Sequence, residues 1–552
     1  MTSISIPEGV TTIEGATFNN CIFLKTVSIP NTVTTIGDHA FRNCALLNNI
    51  SIPASVKTIG DNAFYLCRNL TTISLPESVI CIGKEAFSFC ELLETVIVSS
   101  MAPPECGNSV FSNNASGTKI LVPSASVDAY KSADGWSEYA DYIVGVDCGN
   151  IVFSDPTMKA MCINAFDTDM DKELSYVEAA VVRDLSKMII TDKTIKLFDE
   201  FQYFTGVEII PEYYFSSTEI QSLIIPDSVT SIGECAFFGC SGLTGELIIP
   251  DLVTTIGDCA FSGCSSLTEI TVPDSVTSIG EQCFCNCSSL KEISLSNSLT
   301  SIGDVTFANC SSLTGLRIPD SVTHIGDRAF ENCTSLKEIS LSNSLTSISW
   351  RLFFGCSSLA GILIPDSVTS IGKHAFCGCS GLTGELIIPD LVTTIGEYAF
   401  DQCSSLIGVL LPDSLESIGE GAFYECSSLT SMTFPESVVN MGGNMFRWCS
   451  SLKSILLPKN ATSIGNDYCL GCSSLVSISI PESVTIISDY AFWECDSLES
   501  VIMNNVTPPE CGSSVFSNNA SGMKILVPSA SVDAYKSADG WSEYANYIEG
   551  VD

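Results

Sequence analysis

The sequence predicts an α/β solenoid built from repeats of about 23 residues, each with short strands and a short helical turn. Two observations carry this prediction. The segment RIPDSVTHIGDRAFENCTSLKEI, residues 317–339, returns in similar form along most of the chain. Its proline recurs at steps of about 23 residues, and a Phe-x-x-Cys pair recurs in step with the proline. A fixed period in this range indicates a solenoid, because each unit can bury its apolar side only against its neighbours.

Each repeat contains three short segments. The Leu-x-x-Ile-x-Ile segment before the proline alternates with a period of two, which is typical of a half-buried strand. The proline ends that strand because it cannot donate to a ladder, and Val-Thr-x-Ile-Gly then forms a second extended segment that turns at the glycine. The x-x-Ala-Phe-x-x-Cys segment that follows has helical spacing and room for about one turn, which we interpret as 3₁₀.

The cysteines follow the repeat. Sixteen of the 27 occupy one repeat position, four of them between Cys21 and Cys90 and twelve between Cys240 and Cys495. Such a column predicts a buried ladder of free thiols, since cysteine packs as a small hydrophobic residue. The state of two other groups of cysteines stays open. Cys235 and Cys259 share a position in adjacent turns and can pair, and residues 283–287 form a CxCxC in which metal binding is the lesser alternative.

The repeat pattern breaks twice, at nearly identical passages. Residues 103–147 and 508–552 differ at four positions, and each passage follows the last repeat of a block. Both are rich in tryptophan and tyrosine, and we interpret them as caps that close the ends of solenoid blocks. The alternative is an aromatic platform for carbohydrate, made by Trp136 and Trp541.

The chain is expected to contain three domains. Residues 1–147 hold four repeats and the first cap, whereas residues 201–552 hold a degenerate first repeat, twelve further repeats and the second cap. Residues 148–200 differ from both, because their pattern predicts a helix, an acidic loop and a second helix.

The acidic loop has the ligand spacing of an EF-hand. Short carboxylates, a backbone carbonyl, a hydroxyl and one bidentate glutamate at this spacing surround a hard cation with oxygen, so calcium is the cofactor that the sequence predicts. The expected ligands are Asp167, Asp169, Asp171, Glu173, Ser175 and Glu178. Lys172 occupies the sixth loop position, where glycine normally provides a positive φ. The alternative is therefore a helix–turn–helix that binds calcium weakly or not at all.

The composition restricts the partners and the chemistry. Asp and Glu outnumber Lys and Arg by 63 to 24, which gives a formal charge of −39. A surface this acidic repels phosphate backbones and anionic lipid, which argues against nucleic-acid binding. No apolar run reaches the length of about 18 residues that a membrane span requires. No catalytic motif occurs, and His39, His324 and His374 all lie within repeats, so we expect no enzyme.

The repeated IPDSVTSIGxxAFxxCSSL pattern resembles the BspA-like leucine-rich repeat family of surface proteins. The resemblance covers residues 1–147 and 201–552, and residues 148–200 resemble the EF-hand-like or dockerin-like insertion of some members from gut bacteria. It implies a curved, horseshoe-like, right-handed superhelix of leucine-rich repeats and a secreted or cell-surface location. For some members it also implies adhesion to host matrix proteins or to other microbes. The chain opens inside a repeat without a signal-peptide pattern, so export rests on the resemblance.

The strand register predicts where a partner binds. The middle residue of each Ile-x-Ile-Pro strand points away from the core. In some repeats this residue is apolar, namely in Ile224, Ile248, Leu363, Ile387, Leu410 and Leu456. Stacked outward apolar residues form a stripe that usually marks a protein contact, above all at Leu363, Ile387 and Leu410. The alternative explanation is β-propensity together with repeat copying.

We therefore expect a non-enzymatic adhesion or recognition protein, a monomer that binds protein or glycoprotein partners, such as host extracellular matrix proteins, through the solenoid strand face. The broad concave face of a curved solenoid suits a macromolecular partner better than a small molecule. The alternatives are a passive surface spacer and a calcium-dependent carbohydrate-associated module.

Overall fold

The computed structural model describes residues 2–48, 50, 52–53, 55–146, 150–167 and 172–552. The chain forms two compact units, Met1–Val152 with Phe166–Val181 and Phe153–Ala165 with Val182–Asp552. Parallel strands pair with their equivalents one repeat away in both units, as in Thr12 with Thr35 and Thr255 with Ser278. The predicted solenoid is therefore confirmed, whereas the division into three domains at residues 147 and 200 stays a prediction.

Two families of strands alternate along the chain, one before and one after the proline of each repeat. In the first unit, the strands before the proline position, together with those of the first cap, are Ser3–Ser5, Thr26–Ser28, Thr72–Leu75, Thr95–Val98, Lys119–Pro123 and Ile143–Val146. The strands after it are Thr12–Ile13, Thr35–Ile36, Thr58–Ile59, Cys81–Ile82 and Glu105–Cys106. Both extended segments that the repeat pattern predicts are present.

The second unit continues the same two families. The strands before the proline position, including those of the second cap, are Leu197–Phe198, Ser222–Leu223, Gly245–Ile248, Leu267–Thr271, Glu292–Ser294, Gly315–Arg317, Glu338–Ser340, Gly384–Ile387, Leu406–Leu410, Ser431–Thr433, Ser454–Leu456, Ser477–Ile480, Ser500–Met503, Lys524–Pro528 and Ile548–Val551. The strands after it are Ile209–Ile210, Ser231–Ile232, Thr255–Ile256, Ser278–Ile279, Ser301–Ile302, His324–Ile325, Ser347–Ile348, Ser370–Ile371, Thr394–Ile395, Ser417–Ile418, Asn440–Met441, Ser463–Ile464, Ile486–Ile487 and Glu510–Cys511.

Helices are few and short. The α-helices are α1 (Val127–Ser132), α2 (Pro156–Phe166), α3 (Tyr176–Val181) and α4 (Val532–Ser537). Short 3₁₀ segments span Ser124–Ser126, Ser137–Tyr139, Leu185–Lys187, Asp199–Tyr203, Ser529–Ser531 and Ser542–Tyr544. The helices α2 and α3 lie on either side of the acidic loop in sequence, as predicted. In the described part of the chain, no helix has the length and apolar character that a membrane crossing requires.

The Ala-Phe-Cys side of each repeat is not helical, so the predicted 3₁₀ turn is wrong there. Two residues per repeat adopt the left-handed conformation, for example His39 at φ 58° and Asn43 at φ 57°, which interrupts any 3₁₀ helix. Alternate backbone N–H groups bond to the next repeat instead. His39 and Phe41 donate to the carbonyl oxygens of Asp61 and Ala63, both at 2.7 Å. This side is therefore a third inter-turn hydrogen-bond ladder.

Two side-chain columns fill the core. Phenylalanines of successive repeats stack with ring centroids 5.0–5.9 Å apart. From Cys44 onward, each column cysteine donates its thiol to a backbone carbonyl of the preceding turn, at 3.0–3.3 Å. The cysteine thus fills space and also adds a hydrogen bond to a buried carbonyl.

The described cysteines are free thiols, including Cys235 and Cys259. Burial raises the pKa of column thiols such as Cys67 and Cys264 well above the ordinary value. Because the thiolate is the reactive form, the column is chemically protected in the native protein. This finding supports the predicted ladder of free thiols.

We expect the thiols to titrate in two phases. In the native protein the partly exposed cysteines should react first, and they are Cys21, Cys81, Cys106, Cys259 and Cys511. The buried column cysteines, from Cys44 onward, should react only on unfolding, because burial disfavours the thiolate. Ellman titration of native and guanidinium-denatured protein, prepared without reductant, measures both phases. Oxidation of most of the 27 thiols in the denatured sample would contradict the ladder.

Each cap ends the aromatic column with rings that no longer stack. In the second cap, Trp541 is tilted by 41° against Phe516 at 5.9 Å, and Tyr544 meets Phe516 edge-on at 5.4 Å. The Trp541 indole also donates to the carbonyl oxygen of Pro509 at 2.8 Å. Trp136 occupies the equivalent position in the first cap, and both tryptophans are fully buried. The alternative of an aromatic carbohydrate platform is therefore wrong.

Candidate binding surface

The outward side of the strands before the proline is exposed, and we call it the strand face. Its central column in the second unit has one residue per repeat: Ile224, Ile248, Thr271, Ser294, Arg317, Ser340, Leu363, Ile387, Leu410, Thr433, Leu456, Ser479 and Ile502. All of these residues are exposed, and in most repeats the residues before and after them in the chain are buried. All of the predicted binding residues therefore lie on the surface, while their role in binding stays a prediction.

Three large aliphatic residues occupy successive repeats of this column. Leu363, Ile387 and Leu410 are 82%, 64% and 48% exposed, and we call them the apolar triplet. Ile387 and Leu410 are paired residues of adjacent parallel strands, so they lie side by side at the strand spacing of about 4.8 Å. Residues 361–365 form no strand, so Leu363 extends the triplet from an irregular segment. Ile224 and Ile248 are neighbours elsewhere in the column, and Leu456 lies between Thr433 and Ser479.

An interrupted acidic column lies beside the central column, because the residue two positions earlier is glutamate in five of the repeats. Glu246, Glu269 and Glu292 are paired residues of consecutive strands. Glu338 and Glu385 continue the column in later repeats, and all five glutamates are exposed. Like charges on paired strand residues destabilise a sheet, so this column does not serve the stability of the fold.

Glycines replace the glutamate beside two residues of the triplet. Gly361 precedes Leu363 by two residues, and Gly408 precedes Leu410 by two residues. Where the side chain is missing at Gly408, a groove of about 240 Å³ opens, lined among others by Glu385, Leu410, Asp413, Thr433 and Pro435. The groove therefore combines aliphatic walls with two carboxylates.

The predicted calcium loop lies partly outside the described residues, because Asp169 and Asp171 are not among them. Asp167 Oδ2 accepts a hydrogen bond from the Lys172 backbone N–H at 3.0 Å. Lys172 has φ 69°, which is the left-handed conformation that normally selects glycine at this loop position. Lys172 therefore adopts this conformation although it is not glycine, at the cost of backbone strain.

Ser175 and Glu178 form a reciprocal capping box at the start of α3. Glu178 Oε2 accepts from both the backbone N–H and the hydroxyl of Ser175 at 2.9 Å, and Ser175 Oγ accepts from the Glu178 N–H at 3.2 Å. To ligate a cation, Glu178 must exchange these bonds for the metal. Glu173, which would offer its backbone carbonyl, precedes the buried Leu174. Calcium binding by the loop stays a prediction.

We expect this loop to bind calcium weakly, with a dissociation constant of about 10⁻⁴–10⁻³ M, because of the strain and charge of Lys172. Glu178→Ala should abolish the binding heat in calorimetry, and Lys172→Gly should increase the affinity. Glu173→Gln is the matched control, since position seven contributes only its backbone carbonyl. Calcium heat that persists in Glu178→Ala, or no heat in any variant, would reject the site.

One cluster of metal-ligand side chains was not predicted from the sequence. His374, Cys377 and Asp401 bring their ligand atoms within 4.8 Å of one another. Asp401 lies at the same repeat position as Cys377, one turn later, so the signal is visible only when the repeats are superposed. The CxCxC of residues 283–287 forms no comparable group within the described residues.

The fold and the strand face define the class of protein. The chain has short parallel strands on consecutive repeats of about 23 residues, internal columns of phenylalanine and cysteine, and a cap at the end of a block. These features define a leucine-rich repeat solenoid. Such repeats form extended binding surfaces, and the class consists of non-enzymatic repeat proteins.

The chain belongs to the BspA type leucine rich repeat region family. The family profile matches it in six copies, at residues 1–120, 208–315, 254–383, 300–406, 383–499 and 463–538. The family that the sequence resembles is therefore confirmed.

Three solved structures illustrate the similarity. A leucine-rich repeat protein from Bacteroides ovatus is 28% identical with a TM-score of 0.47, over 63% of this chain and 82% of that chain. A leucine rich cell surface protein from Faecalibacterium prausnitzii is 34% identical with a TM-score of 0.38, over 50% and 83%. The pneumococcal vaccine antigen PcpA is 22% identical with a TM-score of 0.41, over 63% and 85%. Among curated proteins, none matches this chain.

Proposed function

We propose that this protein is a non-enzymatic recognition protein of the cell surface, which binds protein or glycoprotein partners through its strand face. The observation that carries the proposal is the apolar triplet, three exposed aliphatic side chains in successive repeats. Thr271, Ser294 and Ser340 occupy the same column elsewhere, so the fold itself does not need an apolar residue at this position. A contiguous apolar patch that folding does not require is typical of a protein contact.

The acidic column indicates the chemistry of the partner. Glu246, Glu269 and Glu292 repel one another on paired strands, and a cation from a partner would relieve this repulsion. Glu385 and Asp413 line the groove beside Leu410. The matching surface is an apolar patch bordered by lysine or arginine, whereas acidic partners are repelled by the net charge of −39.

The absence of catalysis is part of the proposal, and the state of Cys377 supports it. This thiol is close to a histidine and a carboxylate, as a cysteine nucleophile would be. It nevertheless donates a hydrogen bond to Asp401 Oδ2 at 3.2 Å, and burial raises the pKa of the Cys377 thiol. A thiol held in its protonated form is not an activated nucleophile.

A binding screen tests the proposal. The full chain is immobilised and probed by surface plasmon resonance with purified extracellular matrix proteins, glycosylated and deglycosylated, with and without calcium. Saturable binding to at least one protein is expected. Binding that requires both glycan and calcium would favour the carbohydrate-associated module, and no binding across the panel would favour a passive spacer.

A further inference from the structure

Two adjacent turns of the second unit bring together side chains that the recognition surface does not use. His374 and Cys377 stand three residues apart in one repeat, and Asp401 stands in the next repeat. Backbone hydrogen bonds hold the two turns in register, from His374 to the Glu397 carbonyl at 2.9 Å and from Gly378 to the Asp401 carbonyl at 2.8 Å. The ligand atoms lie within 4.8 Å of one another, and no other group of three does so in the described chain.

The cluster contains buried polar atoms without protein partners. His374 Nδ1 and Asp401 Oδ1 are both buried, and neither has a hydrogen-bond partner among the described residues. Asp401 is 9% exposed and Cys377 is 6% exposed. A buried carboxylate oxygen and a buried ring nitrogen destabilise a fold unless something binds them. Both atoms carry lone pairs that a cation can accept.

The neighbouring cations do not supply that partner, because they are engaged with other acids. Arg351 pairs with Glu331 at 2.8 Å, and Lys373 pairs with Glu397. Asp401 forms no ion pair in the part of the chain that the structure describes. Its carboxylate is therefore a buried acid without a counter-ion.

Neighbouring contacts orient the ligands. The His374 ring stacks on Tyr398, with centroids 5.3 Å apart and an interplanar angle of 14°. The Cys377 Sγ lies 3.2 Å from Asp401 Oδ2, which is close to the ligand–ligand edge of a tetrahedron with metal–ligand bonds of about 2.0–2.3 Å. Small side-chain rotations would bring all three donors to one ion.

We propose that His374, Cys377 and Asp401 bind a zinc-type divalent cation that links the two turns. Imidazole nitrogen, thiolate sulfur and carboxylate oxygen are the donors that zinc takes, whereas calcium takes oxygen alone. On binding, the Cys377 thiol releases its proton to solvent and its sulfur bonds to the metal. Three protein ligands leave a fourth position open to water or to a donor atom from a partner.

The repeat supplies a matched control in Cys285. This cysteine occupies the same repeat position as Cys377 and has the same exposure of 6%. Gln282 stands where the cluster has its histidine, and Ala308 stands where it has its aspartate. Cys285→Ser therefore removes an equivalent thiol without removing the ligand set.

The test is a titration of the reduced, metal-free full chain with Co²⁺, which reports a bound thiolate by its charge-transfer absorption. One equivalent of Co²⁺ should give the band in the wild type and in Cys285→Ser, and Zn²⁺ should displace it. Cys377→Ser should remove the band. His374→Gln and Asp401→Asn should each lower the affinity by at least about 10-fold.

The absence of the band in the wild type would overturn the proposal, as would a band that survives in Cys377→Ser. Unchanged affinity in both His374→Gln and Asp401→Asn would overturn it too. Circular dichroism verifies that each variant is folded. As an independent measure, saturating Zn²⁺ should raise the Tm of the wild type and of Cys285→Ser but not of Cys377→Ser, and no rise in the wild type counts against the site.

Discussion

Replacing Gly540 with alanine is expected to release the second cap and to cost about 3 kcal/mol or more of local stability. Gly540 has φ 73°, and a Cβ atom there would lie 2.2 Å from the carbonyl oxygen of Cys511. Cys511 is held by pairing with Ile487 in the preceding strand, so its carbonyl cannot easily retreat. The backbone at residue 540 must then shift to avoid the collision. This shift moves Trp541 out of its buried position and away from Pro509.

The loss of stability in Gly540→Ala has two causes, the positive φ and the collision with Cys511, and Gly522→Ala separates them. Gly522 belongs to the same cap and has φ 94°, but a Cβ atom there would have no neighbour within 4 Å; it therefore carries the conformational strain without the collision. Hydrogen exchange across residues 524–551 measures the outcome. We expect lost protection in Gly540→Ala and nearly native protection in Gly522→Ala. Equal protection in both variants would show that the close approach to Cys511 contributes nothing.

Replacing the apolar triplet with serine is expected to lower partner affinity by at least about 40-fold. Burial of an aliphatic side chain contributes about 1.5–3 kcal/mol, and even half of this contribution from three residues gives a loss of that size. The fold should persist, because Ser294 and Ser340 already occupy the same column. Surface plasmon resonance measures the affinity, and melting curves verify the fold.

Leu252→Ser with Leu391→Ser is the matched control for the triplet variant. Both leucines are exposed, at 44% and 56%, and they lie two residues after the repeat proline rather than on the strand face. Serine is common at this position, where Ser414 donates its hydroxyl to the Val392 carbonyl at 2.8 Å. The control should therefore fold well and keep its affinity. A comparable loss in the control and in the triplet variant would indicate a general effect of surface hydrophobicity.

The repeat period was sufficient to predict the solenoid and its columns, because identical positions must stack when each turn has the same length. The repeat period was not sufficient to predict the backbone conformation of the Ala-Phe-Cys side. Leu66 and Phe89 adopt φ 63° and φ 58°, although neither residue type favours the left-handed region. The inter-turn ladder imposes this conformation, as when Leu66 donates to the Ser88 carbonyl at 3.0 Å. Local spacing alone cannot reveal a conformation that the neighbouring turn selects.

The candidate sites also include some features that a single repeat predicts and others that depend on the neighbouring turn. The exposure of Ile387 or Leu410 follows from period-two alternation within one strand. The groove beside Leu410 depends on Gly408 and on residues of the next repeat, and the His374 cluster depends on Asp401 one turn later. Such features arise between turns, so they become visible only when the repeats are superposed in three dimensions.

The most direct test of recognition by the strand face is hydroxyl-radical footprinting of the protein alone and bound to a partner from the binding screen. Leu363, Ile387 and Leu410 are exposed in the free protein, so radicals should oxidise them readily. We predict that partner binding lowers oxidation at these three residues and leaves it unchanged at Leu252. Unchanged oxidation of the triplet, with protection elsewhere on the chain, would contradict the account.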